Sequence, residues 1–235
     1  MCILGIILAG GTSRRMKLPA GVSKAIVPIA GHSLIHHVVH AMRPAVDRLV
    51  VVVSQDQQPP EISGIDEILF DTSPQAGPLS AIVDALQITG RDMKIGFVSS
   101  CDVPFLKTEI IRLLLKKLSD PKILWAVPWV SNHPQVLVSA LRVTILDDVK
   151  RYLATGRHDL RGFIDYLSAG SLEAEQSVHL VKTTELVRVD PHLVSFKDID
   201  TPNDLAQMTS RFLYSDIWQS NILTSDKSKN GGEDG

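Results

Sequence analysis

Between Met1 and Val46 the chain contains no aspartate or glutamate, although Arg14, Arg15, Lys17, Lys24 and Arg43 all fall within that stretch. The first acid is Asp47. Such a segment either presents a solvated basic face or lines a pocket for a multiply charged anion. Cysteine is nearly absent. Cys2 and Cys101 alone exclude a disulfide framework and suit a reducing compartment. No apolar run reaches membrane-spanning length. The opening "MCILGIILAGG" carries no basic residue ahead of its short apolar run, so it does not have the form of a secretory signal. A formal net charge of -2 over 235 residues gives no general attraction to nucleic acid or anionic membrane. These absences together predict a cytoplasmic protein. The last stretch, residues 224–235, "TSDKSKNGGEDG", has nothing with which to fill a core and is expected to be disordered.

Hydrophobic residues make up 44% of the chain and charged ones 21%, enough to bury a sizeable core. Cys2 to Leu8 reads as a strand buried on both faces, and "RLVVVVS", "DEILF" and "MKIGFVSS" read as three more. Helical spacing covers Ser33 to Met42, "GPLSAIVDALQI" from Gly77, and "TEIIRLLLKKL" from Thr108. This alternation predicts βαβ units and a Rossmann-like three-layer α/β/α fold around a mostly parallel sheet. After Asp120 the pattern changes. Two strands, "KILWAVPWV" and "HPQVLVS", flank the turn Ser131-Asn132-His133. Helices are expected near 140–155 and 159–168, then a strand at Val194–Phe196 and a terminal helix in "DTPNDLAQMTSRFL".

Three stretches carry candidate chemistry. The first is "LAGGTSRRM", residues 8–16, which ends a strand in two glycines and two arginines. It is neither a Walker A loop nor a dinucleotide fingerprint. A tight turn alone would explain Gly10 and Gly11. With Arg15 and Lys24 nearby, the same loop would also admit a triphosphate, because glycines let backbone N–H groups approach phosphate closely. The second is "SSCDVPFL", where Asp102 follows an apolar strand at the carboxyl edge of the sheet, the usual ligand-binding edge of open α/β folds. Asp102 either caps the next helix or holds Mg2+ against phosphate oxygens. The third is "FKDIDTPNDL". Thr201-Pro202 reads as a helix N-cap with proline in the first turn, and Asp198 and Asp200 fall on one side of an extended segment as candidate metal-binding carboxylates.

Taken in order, "LAGGTSRRM", Lys24, "FDTSPQAGPLSAI", "CDVPFL", "NHPQVLVS", "LATGRHDLRGFI" and "VSFKDIDTPNDL" resemble the molybdenum cofactor guanylyltransferase family, from Ile6 to about Met208. The resemblance implies a nucleotide-diphospho-sugar transferase-like fold and one domain over residues 1–223, with a nucleotide-binding half (1–120) and an acceptor-binding half (121–223). It also implies transfer of GMP from GTP-Mg2+ to the terminal phosphate of molybdopterin, with release of pyrophosphate. Carried over by position, Leu8, Ala9, Gly10, Gly11, Arg15, Lys24, Asp71 and Asp102 match nucleotide-contacting residues. Asp102 matches the magnesium ligand, with Asp200 as a candidate second, and Arg15, Lys24 and Asp102 are the expected catalytic set. The chain departs from the family in three places. The stretch "MKLPAGVSK" is longer than usual, Ser23 replaces an aspartate beside Lys24, and Asp198 and Asp200 stand where Asn-x-Asn is usual. A related cytidylyl- or sugar-phosphate transferase is therefore one alternative, and a nucleotide-binding sensor or carrier without turnover is another.

Other features have structural readings. His32, His36 and His40 repeat at helical spacing, with His37 beside them, as a helix surface or metal site. Cys101 reads as a small buried hydrophobe. Trp125 and Trp129 share one strand face, for core packing or for stacking on a pterin. Arg157 and Arg161 belong to a solvated helix face or bind acceptor phosphate.

Overall fold

A computed structural model describes residues 2–10, 14–19, 21–71, 77–88, 92–169 and 177–213, with Arg14, Ala169 and 211–213 described by backbone alone. Gly11 and the 224–235 segment lie outside the described residues. The first strand, β1 (Ile3–Leu8), is buried on both faces, as its unbroken apolar run requires. A small hairpin follows, β2 (Pro28–Ile29) with β3 (His32–Ser33), and leads into helix α1 (Leu34–Met42). Leu34, Ile35, Val38, Val39 and Met42 line one side of α1 at helical spacing and are all buried. Next come β4 (Arg48–Val53), β5 (Glu67–Phe70), α2 (Gly77–Ile88), β6 (Ile95–Ser100) and α3 (Thr108–Lys117). Glu109 sits in the first turn of α3 and Lys116 and Lys117 in the last, which complements the helix dipole.

The second half supplies β7 (Trp125–Val130), β8 (His133–Pro134), β9 (Val138–Arg142), α4 (Leu146–Ala154), α5 (Leu160–Ala169), β10 (Val178–Lys182), the short α6 (Thr183–Leu186) and α7 (Pro202–Leu213). One sheet runs through both halves in the order β10-β7-β9-β6-β1-β4-β5, with β8 paired to β7. Along that path only β9 runs against its neighbours, β6 and β7, so the sheet is mostly parallel as expected.

Two apolar layers cover the sheet. On one face Ile7, Val51 and Phe97 meet Ile35 and Val38 of α1 and Ile110 and Leu114 of α3. On the other, Leu4, Ile6, Val50 and Val98 meet Leu79, Ile82 and Leu86 of α2, together with Tyr152 and Phe163 of α4 and α5. A third, smaller cluster joins Met16, Val27, Ile29, Leu34, Phe105, Ile199 and Met208. It packs the loop after β1, the hairpin, the segment after β6 and α7 into one unit at the carboxyl end of the sheet.

Three expected boundaries differ. The helix expected from 140 begins as α4 at Leu146, because Ala140, Leu141 and Arg142 are paired with Phe97, Gly96 and Ile95. Val194–Phe196 is a short 3-10 turn rather than a strand, entered from Leu193 in left-handed backbone (φ 50°). The sheet position next to β7 belongs instead to β10, a strand the sequence pattern does not announce.

Candidate functional site

The loop after β1 starts at the middle of the sheet. Ala9 N–H donates to Val52 O (2.8 Å), prolonging the β1–β4 pairing by one residue. Gly10 then passes so close to β4 that a Cβ there would stand 3.0 Å from Ser54 Oγ. Leu8 and Ala9 are buried, whereas Gly10 is exposed. Past residues 11–13 the chain makes a 3-10 turn, Arg14–Met16, anchored by buried Met16. Arg15 projects from it with its side chain 72% exposed.

Lys24 opens a second 3-10 turn, Lys24–Ile26. Ser23 caps that turn by accepting from Ala25 N–H (3.2 Å), and its hydroxyl lies 3.5 Å from Ala9 O. Ser23 therefore fulfils a capping role directly before Lys24. Only 9% of the Lys24 side chain is exposed. Its ammonium donates to Asp102 Oδ2 at 2.9 Å and to Asp200 Oδ1 at 2.5 Å. The other oxygen of Asp200 pairs with Arg15 at 2.7 Å.

The two carboxylates are held from the backbone. Cys101 N–H donates to Leu8 O (3.0 Å), and Ile199 N–H donates to Asp102 O (2.9 Å), so the segment after β6 is tied to β1 on one side and to residue 199 on the other. Asp102 caps no helix, since α3 starts only at Thr108 with Lys107 before it. Asp200 lies just before α7. There Asp204 accepts from Asp200 N–H (3.2 Å), Thr201 N–H (2.7 Å) and Thr201 Oγ1–H (2.8 Å), and Asp204 N–H lies 3.1 Å from Thr201 Oγ1. Thr201 and Asp204 thus form a reciprocal Thr-x-x-Asp capping box, a spacing legible in the sequence beyond Thr201-Pro202.

Charge couples these groups. Burial works against a charged Lys24, but the Asp102 and Asp200 carboxylates outweigh it and hold its pKa above the ordinary lysine value. Burial likewise opposes a charged Asp200, and the Lys24 hydrogen bond with the Lys24 and Arg15 charges hold its pKa below the ordinary carboxylate value. Asp198 moves the other way, raised by burial and then by the negative charges of Asp200 and Asp102. Burial pushes the Cys101 thiol up to about 12, which makes it an inert part of the wall.

Arg15, Lys24, Asp102 and Asp200 thus meet beside Leu8, Ala9 and Gly10 at the carboxyl edge of the sheet. Asp71 stands two strands along, at the end of β5, with its N–H donating to Val53 O (2.8 Å). Among the described residues no group of three or more His, Cys, Asp or Glu side chains is arranged to hold a metal ion. The donor set nonetheless suits magnesium, which commonly takes one or two carboxylates and completes its shell with phosphate and water oxygens. Asp102 Oδ1 has no protein partner among the described residues, whereas both oxygens of Asp200 are engaged by cations.

The histidines lie elsewhere. His32 and His36 stack with centroids 4.4 Å apart, and His37 Nε2 lies 3.0 Å from Ile29 O, on the α1–hairpin surface. Trp125 is buried against Phe163 with Nε1–H donating to Ser139 Oγ (2.9 Å), while Trp129 is 37% exposed. Arg157 lies over the Tyr152 ring, 5.0 Å from its centroid, and 3.9 Å from Asp159.

A strand–glycine loop feeding a cluster of cations and carboxylates at the carboxyl edge of a parallel sheet defines a nucleotide-handling α/β protein. Comparison with known proteins narrows this class. The family model described as the MobA-like NTP transferase domain matches residues 5–173, and the chain belongs to that family. A molybdenum cofactor guanylyltransferase of Desulfosudis oleivorans is 29% identical over 204 residues, covering 86% of this chain and 92% of the relative. Molybdopterin-guanine dinucleotide biosynthesis protein A from Archaeoglobus fulgidus superposes with a TM-score of 0.71 at 22% identity, over 90% of this chain and 100% of that one. 2-C-methyl-D-erythritol 4-phosphate cytidylyltransferase from Thermus thermophilus superposes with a TM-score of 0.63 at 15% identity, over 89% and 98%. At these identities the two structures show a shared fold. Among the described residues no helix is long and apolar enough to cross a membrane.

Proposed function

We propose that this chain transfers GMP from GTP to the terminal phosphate of molybdopterin, releasing pyrophosphate, with Mg2+ as cofactor. The observation that carries the reading is the convergence of Arg15, Lys24, Asp102 and Asp200 beside Gly10, in a chain of the MobA-like NTP transferase family. An acceptor phosphate oxygen attacks the α-phosphorus in line, the bond from that phosphorus to the bridging oxygen breaks, and pyrophosphate leaves. An acceptor phosphate is already ionised near neutral pH, so no general base is needed. Catalysis then consists of positioning and charge compensation. The Leu8–Gly11 loop receives the nucleotide, and Asp71 contacts it from the end of β5. Arg15, which is exposed and paired to Asp200, steadies the departing pyrophosphate. Lys24, buried and held rigidly, compensates charge on the α-phosphate. Asp102, with Asp200 beside it, would hold the magnesium. Held there, a magnesium ion would supply electrophilic neutralisation of phosphate oxygens. The segment after Asp120 forms the acceptor side. Two unpaired thiols, one buried and one exposed, accord with a cytoplasmic protein.

The test is pyrophosphate release with molybdopterin, Mg2+ and each nucleoside triphosphate. GTP-dependent release supports the reading, CTP preference or turnover with a sugar phosphate replaces it with a related transferase, and binding without turnover replaces it with a sensor.

A further inference from the structure

The first 46 residues carry five lysines and arginines and no acid, yet the two of these cations that meet in the described pocket are both paired with carboxylates. Lys24 is bridged by Asp102 and Asp200, and Arg15 is paired to the second oxygen of Asp200. Two cations therefore face two carboxylates, and the formal sum over these four side chains is zero. Asp198 and Asp204 border the same group, and each adds either nothing or negative charge. Among the described side chains the cluster is neutral or acidic. Asp200 supplies this neutrality, for an asparagine at position 200 would leave the four-residue group with one net positive charge.

We propose that Asp200 makes polyphosphate binding conditional on a divalent cation. It cancels the charge of Lys24 and Arg15, so that a bare triphosphate finds no net attraction while a metal-loaded one does. This rests on the nucleotide-site reading above, but it concerns the phosphate tail and not the base or the acceptor. The physical reason is local. Both Asp200 oxygens are within 2.7 Å of the cations that would otherwise meet the phosphates, and its backbone is anchored beside them by Asp204 and by the Ile199–Asp102 hydrogen bond. An opposite charge at such range, as Asp200 is to Lys24 and Arg15, shifts an ionic equilibrium by about one to three decades.

The experiment is isothermal calorimetry with inorganic tripolyphosphate, in EDTA and in Mg2+, on the full chain and on Asp200→Asn and Asp200→Glu. The parent is expected to bind at least about tenfold tighter with Mg2+ than in EDTA, a dependence Asp200→Glu retains. Asp200→Asn, which keeps an oxygen and loses the charge, is expected to bind metal-free tripolyphosphate at least about tenfold tighter than the parent. A purely structural role for Asp200 would weaken binding in both buffers alike. Equal parent affinity in EDTA and Mg2+ would overturn the proposal, and this arm needs no variant to fold. Identical behaviour of the two variants, or no tripolyphosphate binding under any condition, would overturn it as well. A parallel titration with GTP and CTP reads only the base preference, so failure of the guanylyl-transfer reading is seen separately.

Discussion

Replacing Lys24 with methionine keeps most of the side-chain volume and removes a charge that two carboxylates share. The loss has two measurable consequences. The first is stability. Lys24 is nearly buried, while Asp102 and Asp200 are about one-fifth exposed, so the triad lies between a surface pair, worth up to about 1 kcal/mol, and a fully buried pair, whose breaking costs about 3–5 kcal/mol. An intermediate cost of about 1–3 kcal/mol is expected, a fall in melting temperature of about 2–12 °C for a chain of this size. The second is catalysis. If the ammonium compensates charge in the transition state, its removal lowers the rate of pyrophosphate release about 10²–10³-fold. The two effects are separable, because turnover is measured well below the melting temperature with folding checked by circular dichroism. The pH dependence supplies a sign. In the parent the Asp200 pKa is depressed, so its contribution to stability is present above the ordinary carboxylate pKa and lost as pH falls through its lower folded value. Without Lys24 that acid-side contribution shrinks. A variant that turned over at the parent rate would refute the catalytic assignment, and one that melted with the parent would refute the energetic one.

Other outcomes follow from the same geometry. A Cβ on Gly162 would lie 2.2 Å from an Arg157 nitrogen, 2.4 Å from Tyr152 Oη and 2.6 Å from Asp159 Oδ1, so Gly162→Ala is expected to cost about 1–3 kcal/mol in urea denaturation by forcing these three apart. Burial of Cys101, with its pKa pushed up to about 12, and exposure of Cys2 predict one thiol reactive toward Ellman's reagent in the native chain and two in denaturant. His36 and His37 have pKa values lowered first by burial, the neighbouring imidazoles adding to the effect, so the unfolded chain binds more protons. Stability is therefore expected to fall as pH drops below about 6.5, and His37→Gln to flatten that slope in melts at graded pH.

How much of this was legible in the sequence depended on whether the deciding forces were local. The run from Ile3 to Leu8 is apolar at every position but Gly5, and such a run fits only the middle of a helix-covered sheet, where β1 lies. Gly77-Pro78 and Thr201-Pro202 marked the starts of α2 and α7, because proline suits a first helical turn. The boundary at Arg142 was not legible, since pairing with β6 and not local propensity decides where β9 ends. Nor was β10, a short edge strand whose apolar and polar residues alternate weakly and whose place comes from β7. Trp125 and Trp129 share a strand face, yet Phe163 covers the first and no comparable burial reaches the second.

By itself the sequence determined the βαβ alternation, the glycine loop at the end of β1, and the placing of Asp102 directly after β6, because hydrophobic periodicity and turn chemistry act over a few residues. Only the tertiary structure decided the charge of the site. Lys24 meets carboxylates 78 and 176 positions away, brought in by the packing of Met16, Phe105, Ile199 and Met208 in one small apolar cluster. Cations from a stretch free of acids became, among the described side chains, partners of two distant carboxylates, because electrostatic energy depends on distances between side chains and not on their order in the sequence.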